Sequence, residues 1–467
     1  MKNFRFILKT PWWLHLMRSA LGLLMALGLA VLSTPGRAQP PKGVQNHDKN
    51  LKIAVIGGGV SGLTAAYTLK KKGYRHVTVF EKESRVGGKV QTIHYNGEAI
   101  ELGAVIITNR YKTILNLARE LDVPIRPARE VHYKFLNGKM LDSRDYILHK
   151  YSFLQMSQAL LAYQWALIRF ADIDKPGFVN LDPQLHQTLG RFSHKHGFFP
   201  VADALSPLMS GCGYGIYDEV PAMYWLKLMP FFTNLAVSNT LSGTHRDMMS
   251  FPEGFQSLLT AMARHLNVKL DAEVTRIKRT PREDHMQIAV TAKGTTETFD
   301  RVILATPLEY SHFFLELTPE EHDLFKRIVN VRYMVTLAQT NNREHATVVD
   351  NVTAQTRNHV NFLGQFNGNK SPSIFYQILD PDISEQTASS ILESDLRSLG
   401  ITINRILVQK IWSYFPHVKQ KDLDEGFYEK LDSLQGINGT YYTGALLSFE
   451  TAEHTAEHAE YLVNRFF

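Results

Sequence analysis

Short continuous apolar runs alternate along this chain with longer stretches whose apolar residues recur every three or four positions. Residues 51–56, LKIAVI, form a run rich in β-branched side chains, the pattern of a strand buried on both faces. Beyond the glycines of 57–62, Leu63, Ala66, Tyr67 and Leu69 give a helix an apolar side. Lys70–Lys72 suit its C-terminal dipole and Gly73 ends it. Val77 and Val79 begin a second strand that Glu81 closes, and FDRVILATP (299–307) supplies another. Residues 144–170 read as one long amphipathic helical stretch, and residues 220–237 as an apolar helix interrupted near Pro230. Strands are predicted near YMVTLAQT (333–340) and SIFYQIL (373–379). From residue 441 the chain closes as a strand, a glycine turn and a helix starting near Thr451, with Ser448, Glu450 and Glu453 near that start. The expected fold class is α/β, with a Rossmann-type domain built on the first unit.

That first unit carries chemistry. Gly57, Gly59 and Gly62 have the Gly-x-Gly-x-x-Gly spacing between a strand and a helix. The first permits a tight turn, the second lets a pyrophosphate approach the backbone, and the third lets helix and strand sit close. Glu81 stands 19 residues beyond Gly62, where a carboxylate accepts hydrogen bonds from ribose hydroxyls. Strand, helix and acid together point to a dinucleotide. The stretch VFEKESRVGGKVQTI (79–93) then adds Arg85, Gly87, Gly88 and Lys89, a cation and a loop able to pass close to a bound phosphate. Candidate contacts are therefore Gly57, Gly59, Val60, Ser61 and Gly62 in the turn, and Glu81, Lys82, Arg85, Gly87, Gly88 and Lys89 in the second loop.

The first 38 residues stand apart from this pattern. Lys2, Arg5, Lys9 and Arg18 precede or flank an apolar core at 20–32, and small residues follow up to Ala38. This reads as a cleavable export signal cut near Ala38, giving an exported, periplasmic or secreted protein with no stable membrane span. An uncleaved anchor is the rival, because Trp12 and Trp13 extend the segment. The segment holds five of the 51 basic residues and none of the 45 acids, so the remainder carries 46 against 45, a net +1. Nothing in that balance calls for nucleic acid. The single Cys212 excludes an internal disulfide framework.

Arg-x-Gly-Gly after the second strand resembles the flavin-dependent amine oxidase superfamily, which includes monoamine oxidases and phytoene desaturases. Further fragments are similar in the superfamily's order: ELGAVI (101–106), FPEGFQSLLTAM (251–262), VTRI (274–277), FDRVILATP and the C-terminal segment. A narrower likeness, in GYGIYDEVPAMYWLK (213–227), WSYFPHV (412–418), GFYEKLDSLQG (426–436) and the final NRFF, is to bacterial polyenoic fatty acid isomerases. The resemblance implies FAD, and adds Leu102, Gly103, Ala104, Val274, Gly444 and Thr451 as cofactor contacts. It implies a discontinuous FAD domain (50–145, 248–310 and 403–467) and an inserted, mostly helical α+β substrate domain (146–247 and 311–402).

Monoamine oxidases hold flavin through a cysteine near the C-terminus; Cys212 is far from it, so noncovalent FAD is expected. Ala445 stands where the superfamily commonly has an acid. In the isomerase an Arg grips the substrate carboxylate in the segment matching residues 125–135, where Arg126 and Arg129 stand. Tyr214, Trp412, Tyr414 and Tyr442 are the candidate substrate-site aromatics, while His417 reads as a packed or capping residue. The expected activity is hydride transfer from an apolar, unsaturated small molecule to flavin, with double-bond isomerisation as one outcome. The alternatives are an amine oxidase and a flavin-binding protein without turnover. HTAEH (454–458) also matches the inverted zincin pattern. A zinc hydrolase needs a further ligand and an open position, so a solvated polar face and no metal are expected there.

Overall fold

The computed structural model describes residues 48–467 except 106, 129–133, 138, 243–247, 284, 342–346, 351–355 and 365–371. The expected signal and its cleavage site lie outside the described residues. Among these, no helix is long and apolar enough to cross a membrane.

The LKIAVI run becomes β1 (Lys52–Ile56), followed by helix α1 (Val60–Lys71) and β2 (His76–Phe80). With β3 (Asn267–Lys269), β4 (Arg301–Leu304) and β5 (Thr440–Tyr442) they make a parallel sheet in the order β3-β2-β1-β4-β5. Strand alternation sorts its residues into two layers. Ile53, Val55, Val79 and Ile303 enter one apolar cluster, which holds Leu63 and Ala66 of α1 and Ala456 and Ala459 of the C-terminal helix. Ala54, Ile56, Phe80, Val302 and Leu304 enter the other, with Ile288, Val290 and Phe299 of an antiparallel three-stranded sheet. Continuous apolar runs are what two covered faces require.

A second large sheet has seven strands, in the order Ile403–His417, Val329–Thr340, Ser373–Leu379, Val360–Gly364, Thr347–Val349, Lys134–Asn137 and Lys139–Asp142. It shifts the expected domain boundaries. Ile403–His417 pairs along Val329–Thr340 from Thr340↔Ile403 to Val329↔His417, and the 134–142 hairpin joins the same sheet beside Thr347–Val349. Pairing between residues so distant in sequence leaves no local trace, so the region is more β-rich than expected.

The helices Ser143–Lys150 and Phe199–Gly211 lie against this sheet, and further helices pack on Phe199–Gly211. The stretch 144–170 is two helices, Ser143–Lys150 and Phe153–Arg169, because Ser152 starts the second with a capping box to Gln155. Conversely, the apolar helix is not interrupted: Ala222–Ser242 runs through Pro230. A proline costs one amide donor and crowds the carbonyl four residues back. Packing of the surrounding residues outweighs that here, since 220–230 are buried throughout.

Candidate active site

Every strand of the parallel sheet ends its carboxyl edge at one cavity of about 680 Å³. Gly57 follows β1, Glu81 follows β2, Ala272 and Val274 follow β3, Thr306 follows β4, and Thr443 and Gly444 follow β5; all line it. The crevice outside the carboxyl ends, where strand order reverses about β1, is where open α/β sheets bind ligands.

The glycine turn is built by close approach. Gly57 has φ +107°, and a Cβ on Gly62 would lie 2.0 Å from the Gly57 carbonyl oxygen. Gly62 therefore serves packing and does not line the cavity, unlike Gly57, Gly59, Val60 and Ser61. The buried Glu81 carboxylate accepts from the Gly58 amide at 2.7 Å and the Glu83 amide at 2.9 Å. Arg85 ties the second loop by donating to the carbonyls of Val86 and Val90 (both 3.3 Å) and Gly88 (3.0 Å). Burial lowers its guanidinium pKa. Gly87 takes φ +120° in that loop. Lys82, Arg85, Gly87, Gly88, Lys89 and Ala104 all border the same cavity.

A smaller pocket of about 80 Å³ adjoins it, and both are bordered by Ala104, Tyr414, Glu450, Thr451 and Ala452. Its walls include Leu208, Cys212, Tyr214, Tyr333 and Tyr376, and Gly103. The Tyr414 hydroxyl donates to Tyr214 at 3.3 Å, and Tyr214 donates to the Glu450 carbonyl at 3.2 Å. Burial pushes both phenols well above their usual range, so they remain protonated donors. Glu450 Oε2 accepts from Lys89 Nζ at 2.8 Å and from the Phe415 amide at 3.0 Å. The neighbouring Phe449 holds φ +125° and ψ 152°, a region almost reserved for glycine.

Thr451 caps the C-terminal helix Ala452–Phe466, accepting from the His454 amide at 3.1 Å. That helix start faces the shared border of the two spaces, with Thr451 and Ala452 on both walls. The expected solvated face at His454 and His458 is corrected. Both are buried, His454 Nδ1 lies 2.7 Å from Thr451 Oγ1, and His458 Nδ1 lies 3.1 Å from Thr443 Oγ1. Burial drives both imidazoles toward neutrality, that of His458 to about 4. The helix lies between elements of the protein, which an exposed-face reading of HTAEH missed.

The candidate aromatics divide. Tyr214 lines the small pocket, Tyr414 lines both, and Trp412 lines the large one while its indole donates to the Leu102 carbonyl at 3.0 Å. Leu102 itself is buried support outside either wall. Tyr442 is a correction: it borders neither space, and its hydroxyl meets Glu321 at 2.5 Å, where Arg279 also pairs with that carboxylate. Its ring packs on Phe325 at 5.7 Å and its hydroxyl is taken by the buried Arg279–Glu321 pair, which holds it away from both spaces. Arg126 is exposed on a short strand and borders neither cavity, and Arg129 lies outside the described residues.

Several lining residues had escaped the sequence reading: Thr306, Glu309, Lys410, Tyr111, Tyr333 and Tyr376. Thr306 follows a parallel strand at its carboxyl end, which was the available signal. The buried Thr306 Oγ1 and Glu309 Oε2 border the large cavity without a protein hydrogen-bond partner, and burial raises the Glu309 carboxyl pKa. Orphaned polar atoms, a turn cleared of side chains and a buried acid at a strand end fit a dinucleotide as large as FAD.

Comparison with known proteins agrees with this geometry. A family model described as flavin containing amine oxidoreductase matches residues 60–392. An uncharacterised protein of Acanthamoeba polyphaga mimivirus is 25% identical over 95% of this chain and 98% of its own length. A polyenoic fatty acid isomerase of Ptilota filicina is 26% identical over 63% of this chain and 64% of its own. The crystal structure of a fatty acid isomerase from P. acnes, described as producing CLA, superposes with a TM-score of 0.82. It is 24% identical and covers 90% of this chain and 100% of its own.

Proposed function

The chain belongs to the flavin-containing amine oxidoreductase family and is an FAD-dependent oxidoreductase; from that premise we propose that it acts on an apolar, unsaturated, fatty-acid-like molecule. The observation that carries this reading is the small pocket beside the cofactor cavity, walled by aliphatic and aromatic side chains with Glu450 as its charged member. Bound FAD supplies a hydride acceptor. A doubly allylic C–H releases hydride readily because the remaining cation spreads over five carbons. Return of the hydride to a different carbon gives a double-bond isomer, whereas passage of the hydride's electrons to an external acceptor, with loss of a proton from the carbon next to the cation, gives desaturation.

The chain's own residues suit the task of holding such a molecule. Tyr214 and Tyr414 stand with ring centroids 5.7 Å apart, and both line the pocket. Arg110 holds its guanidinium 5.7 Å from the Phe231 ring centroid, and Phe231 lines the pocket. Arg110 itself borders neither space; we assign this cation behind the Phe231 wall to the carboxylate of a fatty acid. The start of the C-terminal helix faces the shared border, where its amides favour negative charge.

An amine oxidase is the second reading, favoured by the same tyrosine pair, since two ring faces can cradle a cation. Lys89 weighs against it. Its ammonium already sits 5.4 Å from the Tyr414 ring centroid and pairs with Glu450, so carboxylate and ring are both engaged by the protein's own cation.

The test is anaerobic stopped-flow bleaching with linoleate and oleate, following conjugated diene absorbance in parallel. An apolar pocket binds both nearly alike, so discrimination should appear in the rate of flavin reduction. Equal rates, or bleaching only by amines, would overturn the lipid reading. We also hold FAD to be noncovalent: Cys212 borders the small pocket, and burial pushes its thiol up to about 12, which leaves little thiolate for attachment. Acid precipitation should leave FAD in the supernatant. Export is part of the proposal, with an N-terminus near Gln39 expected by mass spectrometry of the native protein.

A further inference from the structure

Large apolar side chains left in water are unevenly distributed. Of the thirteen exposed among the described residues, seven lie between 140 and 168: Met140, Leu148, Phe153, Leu154, Leu161, Trp165 and Ile168. The helix Phe153–Arg169 carries most of them. At about 100° per residue, Leu154, Leu161, Trp165 and Ile168 fall within about 60° of one another. Its buried residues Ala159, Tyr163, Ala166 and Leu167 occupy the opposite side. The helix is thus apolar on two opposed faces, and only one is covered by the protein. A surface helix ordinarily turns a polar face outward. Trp165 is 71% exposed and Leu154 65%, values that signal a partner for this face.

We propose that this face seats the protein on an anionic lipid surface, with the helix lying flat in the headgroup region. Charge selects the partner. From residue 146 to residue 171 the chain holds no acid; of its cations His149 and Arg169 are exposed, while Lys150 is turned inward to pair with Asp203 and Asp350. The acids at the two ends of that span are Asp145 and Asp172, and Asp172 is paired with Lys175 at 2.7 Å. A tryptophan among leucines on the exposed face, no acid on the helix and an exposed Arg169 at its end suit a helix seated on an anionic headgroup layer. The helix has 17 residues, too few to span a bilayer that requires about 20.

The position also serves the site. The covered face packs on the helix Phe199–Gly211, with Tyr163 5.6 Å from the neighbouring Phe198 ring. Leu208 and Gly211 of that helix, and then Cys212, line the small pocket. The lipid-facing helix is therefore one layer removed from the apolar compartment. The inference itself does not depend on the substrate, because docking is measured without turnover.

The experiment uses the full chain with Leu161→Cys labelled by an environment-sensitive fluorophore, the labelled wild-type chain correcting for Cys212. A label at Ile437→Cys, 52% exposed in a distant part of the chain, is the control. On vesicles of phosphatidylcholine with phosphatidylglycerol the first label should brighten and shift to the blue, more than on phosphatidylcholine alone, while the control stays unchanged. A dark first label on vesicles overturns the proposal, including where the chain binds them through its N-terminal residues. So does a signal that follows protein concentration without lipid, which would mean a second copy covers the face. In a second arm, Leu161→Glu with Trp165→Glu should lower vesicle co-sedimentation roughly tenfold or more while bound FAD is retained. Unchanged sedimentation would count against the proposal.

Discussion

Lys89 Nζ lies 2.8 Å from Glu450 Oε2, joining the loop after β2 to the residue just ahead of the last helix, where the two cavities meet. The pair is mostly shielded, with Glu450 10% exposed, and the carboxylate also holds the Phe415 amide. Glu450→Gln keeps an acceptor for that amide but leaves Lys89 without a counter-charge. A loss of about 1–2 kcal/mol is expected, between the values of surface and buried pairs. Glu450→Ala should lose more, because the Phe415 amide is stranded too. Urea midpoints of the two variants, compared at one pH, decide the order.

Glu81 is the acid through which the sheet edge meets a ribose in this reading. Replacing it with Ala removes a charged acceptor worth roughly 1.5–3 kcal/mol, about a tenfold to hundredfold loss of FAD affinity. Glu81→Gln should fall between wild type and Ala, since an amide oxygen still accepts from Gly58 or Glu83. Titration of the apoprotein with FAD measures this, and identical affinities would remove Glu81 from the cofactor site.

Buried histidines give a pH signature. The His458 imidazole is held to about 4 by burial, below its ordinary 6.5. Between those values the unfolded chain binds a proton that the folded chain refuses, so stability rises with pH in this window. At pH 7 the contribution is intact, and it is lost as pH falls from about 6.5 to 4, by up to roughly 3 kcal/mol. His417 has the same sign, while Glu101 and Glu453, raised to about 7, oppose it by binding protons in the folded state. His458→Asn should therefore flatten the acid limb of stability against pH. An unchanged slope would mean His458 takes up a proton without unfolding.

If Arg110 holds a substrate carboxylate, Arg110→Gln should raise KM for a fatty acid more than tenfold, the loss of a charged hydrogen bond, with little change in the rate of flavin reduction. The methyl ester, which lacks the charge, should be insensitive to the variant. Equal effects on acid and ester would show that Arg110 acts through packing on Phe231.

These residues were unevenly legible. The glycine turn, Glu81 and the loop at Arg85 are local in sequence, so spacing alone brought them forward. Tyr333 and Tyr376 reach the site from strands whose neighbours lie tens of residues away, and no single-strand pattern marks them; Thr306 carried only the general signal of a strand's carboxyl end. Tyr442 and the HTAEH histidines failed for a related reason. Composition gave their chemistry, but which face they turned depended on layers assembled from distant segments.

The second and third glycines of the turn make separable claims. A Cβ at Gly62 would sit 2.0 Å from the Gly57 carbonyl oxygen, so Gly62→Ala must push α1 away from β1. That overpacking of a buried contact is expected to cost about 1–3 kcal/mol or more, and to do so in the apoprotein. At Gly59 the nearest atoms to a Cβ are the Gly87 carbonyl oxygen and Gly88 Cα, both 4.0 Å away, and the position borders the large cavity. Gly59 also has φ −79°, which alanine adopts freely. Gly59→Ala should leave apoprotein stability within about 0.5 kcal/mol of wild type. Its methyl would occupy the space a pyrophosphate needs over the helix N-terminus, so FAD affinity should fall by an order of magnitude or more. Thermal unfolding of the two apoproteins, with FAD titration of each, reads both effects. A Gly59→Ala protein that binds FAD like wild type would show that the cofactor does not approach this turn, and would move the pyrophosphate away from the start of α1.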